Sequence, residues 1–129
     1  MLTPTNPLQA QSGTNVTLHW DYTSNKPLAL AQWGTMNGES TLGTIIAQQH
    51  GNNDVEYLSQ KGRAFIEGRA SLTLTDVKVS DSGRYGCQLR FSGEPSPIIN
   101  STRLIVSGKP YFLLRQCKRS IDFVNTVVN

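Results

Sequence analysis

A chain of 129 residues with a formal charge of +3 has room for one domain of ordinary size and a short appendage. With 37% apolar residues, 16% charged residues and eleven glycines it reads as a turn-rich globular protein, which excludes wholesale disorder. No apolar run approaches the roughly 20 residues that cross a bilayer, and no dense basic stripe marks a nucleic-acid footprint. The opening MLTPTNPLQAQSG lacks the basic and apolar segments of an export signal, so an exported protein with this sequence is expected to be a mature or trimmed piece.

In chain order, NVTLHWDY sets Val16, Leu18, Trp20 and Tyr22 on one side and Asn15, Thr17, His19 and Asp21 on the other, the period-two pattern of a half-buried strand. SLTLT repeats it with Leu72 and Leu74. RYGCQLRF sends Tyr85, Cys87, Leu89 and Phe91 one way and Arg84, Gly86, Gln88 and Arg90 the other, and STRLIV follows with Leu104 and Val106. SNKP, MNGES, HGNN, QKG and SGEPSP punctuate these runs with turn chemistry. Many short strands divided by such turns predict an all-β antiparallel sandwich or barrel.

Residues for catalysis or metal binding do not converge. His19 and His50 lie in unrelated segments without metal-ligand spacing, and the glycines serve turns rather than a phosphate loop, so neither enzyme activity nor a cofactor is expected. Two triplets, NVT at Asn15 and NST at Asn100, have the form of N-glycosylation acceptors.

DSGRYGC, from Asp81 to Cys87, resembles the D-x-G-x-Y-x-C signature of immunoglobulin domains. GRAFIEG at Gly62 to Gly68 resembles strand D of variable-type domains, QAQSGTNVTLHWDY resembles the approach to strand B, and Trp33 sits where the buried strand-C tryptophan is expected. The span from Trp33 to Arg63 leaves room for strands C′ and C″, so the resemblance is to the V-set, with a domain at residues 1–107 and a linker and basic tail at 108–129. It implies a tyrosine corner closed by Tyr85 and an Arg63–Asp81 ion pair. It also implies a departure. Trp20 stands where the family places its strand-B cysteine, so the usual inter-sheet disulfide cannot form. Cys87 then reads as a packed, inert thiol; a bond to Cys117 in RQCKRS, or use between chains, are the alternatives. This loss is reminiscent of divergent invertebrate immunoglobulin-type receptors of self/non-self recognition.

The resemblance further implies a non-catalytic extracellular recognition or adhesion module from a cell-surface, membrane-anchored parent. Its binding surface would be the exposed GFCC′C″ face, for which Leu30, Gln32, Ile46, Gln88, Arg90, Arg103 and Ile105 are the candidates, with Gly34 and Gly86 allowing close approach. The expected partner is another immunoglobulin-type domain or a second copy, as a weak homodimer. Two other readings are a secreted defence module that binds a microbial glycan and a structural immunoglobulin domain of the muscle type.

Overall fold

A computed structural model describes residues 1–60 and 62–108. The alternating runs form nine strands among these residues: β1 Leu8–Gln11, β2 Val16–Leu18, β3 Leu28–Asn37, β4 Thr41–His50, β5 Glu56–Tyr57, β6 Ala64–Glu67, β7 Ser71–Leu74, β8 Gly83–Phe91 and β9 Ile98–Ser107. They build two sheets, a larger one in the order β1-β9-β8-β3-β4-β5 and a smaller one in the order β2-β7-β6. All pairings are antiparallel except β1 on β9, which is parallel. The linker, the basic tail and Cys117 fall at 109–129, outside the described residues.

Alternation decides which side chains fill the space between the sheets. Leu18, Leu72 and Leu74 come from the small sheet, and Ala31, Trp33, Cys87, Leu89, Leu104 and Val106 from the large one; all are buried. At roughly 25 cal/mol per Å² this shared apolar burial dominates the stability of the sandwich. Trp33 spans it: its indole Nε1 donates to Ala70 O at 2.9 Å.

The second strand is shorter than its alternating pattern. β2 and β7 pair Val16 with Leu74 and Leu18 with Leu72, a register that would bring Trp20 opposite Ala70. That carbonyl is engaged by Trp33, and the Trp20 N–H turns back onto Leu18 O at 3.2 Å instead. Trp20 leaves the ladder yet stays 1% exposed, within the same buried cluster as Cys87. Its indole Nε1 donates to Asn100 Oδ1 on β9 at 2.9 Å. Asn100 is the register partner of Cys87, so the indole reaches the strand beside the cysteine rather than forming a covalent link to it. Among the described residues Cys87 has no disulfide partner.

A second tie joins the sheets at the other end. Arg63, just before β6, lies with Nη2 2.6 Å from Asp81 Oδ2, at the 3-10 turn Val79–Asp81 that leads into β8. Nη1 donates to Gln60 Oε1 at 2.8 Å, while Nε is buried with no hydrogen-bond partner among the described residues. The Lys78 backbone N–H donates to the same carboxylate oxygen at 2.8 Å, and the Tyr85 hydroxyl donates to Asp81 O at 2.5 Å, closing the corner.

Candidate functional site: the outer face of the large sheet

Registers across the large sheet place its outward residues in rows. One row runs Ile99, Gln88, Gln32, Gln48, Glu56 across β9, β8, β3, β4 and β5. Gln32 Nε2 donates to Gln48 Oε1 at 3.3 Å, and Gln48 Nε2 to Glu56 Oε1 at 3.1 Å, so these amides form a cross-strand chain. Beside it Arg90 is opposite Leu30, which is opposite His50. On the other side Ser101, Gly86, Gly34 and Ile45 line up, and beyond them Arg103 faces Arg84 and Ile105 lies next to Gln9 of β1. Leu30, Gln32, Gln88 and Ile105 are half-buried, while Arg90 and Arg103 are exposed.

Ile46 is not part of this face. Pairing passes from Trp33–Ala47 to Gly34–Ile45, leaving Ile46 as the extra residue of a β-bulge. Its side chain turns into the core at 2% exposure, and its carbonyl accepts N–H bonds from Leu58 at 2.8 Å and Ser59 at 3.2 Å. The bulge breaks strict alternation, so Ile46 and Ala47 are both buried and Ile45 takes the outward place.

The two outward glycines are also filled by the chain itself. A Cβ on Gly34 would collide with Thr44 O, which the bulge brings over it. One on Gly86 would strike Met36 Sδ and lie 2.9 Å from Leu42 Cδ2. Met36 and Leu42 pair across the β3–β4 hairpin and lean over Gly86. Gly86 thus seats a small apolar cap and Gly34 a backbone carbonyl, rather than opening the sheet to a partner's backbone. Alternation in TIIAQQ leaves either Ile45 or Ile46 outward, and the bulge decides for Ile45; Arg84 follows from the same alternation as Gln88 and Arg90. Met36, Leu42 and Gln48 are not among the candidates read from sequence. Continuing the outward alternation of Gln32 and Gly34 to Met36 finds the first; the other two depend on hairpin register.

Charge is divided across the face. Arg84, Arg90 and Arg103 stand on β8 and β9, none in an ion pair among the described residues, and Arg84 Nη2 donates to Ser101 Oγ at 2.7 Å. Glu56 stands at the opposite edge, 3.6 Å from His50 Nδ1. The sites of the two glycosylation triplets differ. Asn15 is exposed in the turn before β2, whereas Asn100 points between the sheets toward Trp20. No group of His, Cys, Asp and Glu able to hold a metal ion occurs among the described residues. None of their helices is long and apolar enough to cross a membrane.

Two packed sheets with this strand order and a tyrosine corner define an immunoglobulin-type sandwich. The sequence matches the immunoglobulin V-set domain family over residues 3–107, and the chain belongs to that family, one of non-catalytic recognition modules. It is 32% identical over 120 residues to V-set and immunoglobulin domain-containing protein 1 of Gallus gallus, an alignment that takes in 84% of this chain and 35% of that protein. The chain therefore spans about a third of the length of that relative. Among solved structures it is similar to human T-cell immunoglobulin and mucin domain protein 1, with a TM-score of 0.67 at 22% identity over 81% of this chain and 100% of that one. Murine CEACAM1b gives a TM-score of 0.67 at 22% identity, covering 79% of this chain and 51% of that one. These structural likenesses establish the fold.

Proposed function

We propose that this domain is an ectodomain recognition module of a cell-surface protein and binds a protein partner through the outer face of its large sheet. The observation that carries this is the composition of that face. Half-buried Leu30, Met36, Leu42, Ile45, Ile99 and Ile105 surround a glutamine row and are flanked by three arginines without ion-pair partners among the described residues. An apolar centre with a polar, arginine-bearing rim is the composition of a protein interface rather than of a solvated face. The arginines call for acidic groups on the partner.

The division of charge supports a second copy as that partner. A two-fold axis running along β3 would bring the β8–β9 half of one face over the β4–β5 half of the other, setting arginines near Glu56. Such isologous pairing is the commonest route to a dimer. Sedimentation over a wide concentration range tests it. Ile105→Arg with Gln88→Glu should abolish self-association with the melting temperature preserved, whereas Phe65→Arg on the small sheet should not. If Arg90→Glu weakens association and added Glu56→Arg does not restore it, the charge pairing is wrong; association that responds only to Phe65→Arg would refute the face itself.

A further inference from the structure

We propose that Asn15 carries an N-linked glycan and that Asn100, although it opens an Asn-Ser-Thr triplet, does not, because the half-buried Asn100 carboxamide is the acceptor for the buried Trp20 indole and Thr102 of its triplet is itself buried. The inference does not depend on which partner the domain binds. Sequence rules admit both sites, since each has asparagine followed two residues later by threonine. The structure separates them.

Asn15 is exposed, and only its oxygen is engaged: Oδ1 accepts the Asp76 backbone N–H at 3.0 Å, holding a residue with φ 49° in the neighbouring turn. Among the described residues no hydrogen bond occupies Nδ2, the atom that would bear the sugar. Thr17, the other determinant, is half-buried on the outer side of β2, its hydroxyl 2.8 Å from that of Thr73. In glycosylation Nδ2 attacks the anomeric carbon of a lipid-linked oligosaccharide diphosphate. The new C–N bond forms as the C–O bond to the diphosphate breaks, the lipid diphosphate leaves with the electron pair, and Nδ2 gives up one proton. The Oδ1 contact to Asp76 survives this step unchanged.

Asn100 also uses Oδ1 as an acceptor, but it is half-buried and its triplet threonine, Thr102, is 1% exposed. It lies on the inner side of β9 with Thr102 and Leu104, opposite the fully buried Cys87. Its Oδ1 is the acceptor for the Trp20 indole, and the Thr102 hydroxyl donates to Thr5 O at 2.8 Å. Both determinants of this triplet therefore face between the sheets. Carbohydrate on Nδ2 would start from the inner side of β9 beside the buried Thr102, and any turn of the carboxamide that carried it clear of the sheet would strand the Trp20 indole N–H without a partner. Folded protein should consequently be bare at Asn100, leaving the β9 edge of the outer face free of carbohydrate.

The test is the full chain secreted from a eukaryotic host behind a cleavable leader, with the monodisperse folded fraction treated with peptide N-glycosidase in heavy-oxygen water and mapped by mass spectrometry. Label at position 15 with none at 100 is expected. Asn15→Gln should lose the whole glycan mass, and Asn100→Gln should keep it. Label at Asn100 in the folded fraction, or an unlabelled position 15, would overturn the proposal. The structural half has its own readout: the Trp20 indole N–H, followed by NMR in uniformly labelled protein, should be protected from exchange in wild type. An unprotected Trp20 N–H in wild type would sink it even if Asn100→Leu failed to fold; where that variant folds, loss of the protection is expected.

Discussion

Trp20 and Arg63 both connect one sheet to the other, but by opposite means. Arg63 makes a charged contact of 2.6 Å to a carboxylate that also receives a backbone N–H, in a corner whose side chains retain some solvent contact. Trp20 contributes apolar area buried to 1% exposure and a single neutral side-chain hydrogen bond to half-buried Asn100. In this family a disulfide ordinarily occupies the second position, and a covalent bridge typically contributes about 2–4 kcal/mol. An indole can supply a similar sum from burial alone. The difference teaches that a cross-sheet tie is defined by what it spans, not by its chemistry: one tie should answer to pH and the other to volume.

The largest effect should come from emptying the apolar tie. Trp20→Ala is expected to cost about 3–5 kcal/mol through lost burial and the cavity left behind, enough to unfold the domain at moderate temperature in thermal denaturation. Trp20→Phe separates area from hydrogen bond, since it keeps a ring and leaves Asn100 Oδ1 without its donor; a loss of about 1–2 kcal/mol is expected. Equal losses in the two variants would show that the hydrogen bond, not the ring, is the tie.

Arg63→Ala should cost less, about 2 kcal/mol, between the values for exposed and fully buried pairs because both side chains keep some exposure. Calorimetry should place it between Trp20→Ala and Arg69→Ala. Arg69 pairs with Asp21 at a more exposed site, and its loss should barely register.

Acid sharpens the contrast further. Burial alone would raise the Asp81 carboxyl, but the Arg63 hydrogen bond, the Lys78 N–H and the two cationic side chains together hold it below the ordinary carboxylate range. Hydrogen bonding from Arg69, then the Tyr22 N–H, lowers Asp21 from 3.8 to about 2. Both groups are depressed in the folded state, so their stabilisation is complete above the unfolded value and disappears as pH falls through the folded one. Melting temperature should therefore decline between about pH 4 and pH 2. In Arg63→Ala that decline should be shallower; an unchanged slope would mean Asp81 is not held by the pair.

The smallest effect concerns the thiol. Burial pushes Cys87 up to about 12, and with no thiolate and no access it should resist alkylation until denaturant is added, as read by mass spectrometry of that peptide. Modification of Cys87 in native protein at neutral pH would show that the sheets open where Trp20 closes them.

The sandwich was legible because its signals are local. Alternation in RYGCQLRF and the spacing from Asp81 to Tyr85 each lie within one segment, and a disulfide-free variant of the plan follows once Trp20 is aligned with the missing cysteine. The errors arose where distant segments meet. Nothing in TIIAQQ announces the bulge that turns Ile46 inward and brings Thr44 O over Gly34. The apolar cap of Met36 and Leu42 needs a hairpin register, and the acceptor of Trp20 is 80 residues away in a triplet that reads as surface. Gly34 and Gly86 show the same limit, since a glycine written for close approach does not say whether a partner or the chain itself will approach.

The outer strands have a consequence for molecules held side by side at high density. β1 has four residues, β5 two, β2 three and β6 four, and β1 turns exposed Gln9 and Gln11 outward. On β6 the Ile66 N–H is occupied by the Tyr57 hydroxyl at 2.9 Å rather than left for another chain. Such brief, partly capped borders give a neighbour little ladder to extend. Crowded copies are thus poorly placed to fuse edge to edge into a continuous ribbon, whichever face carries binding.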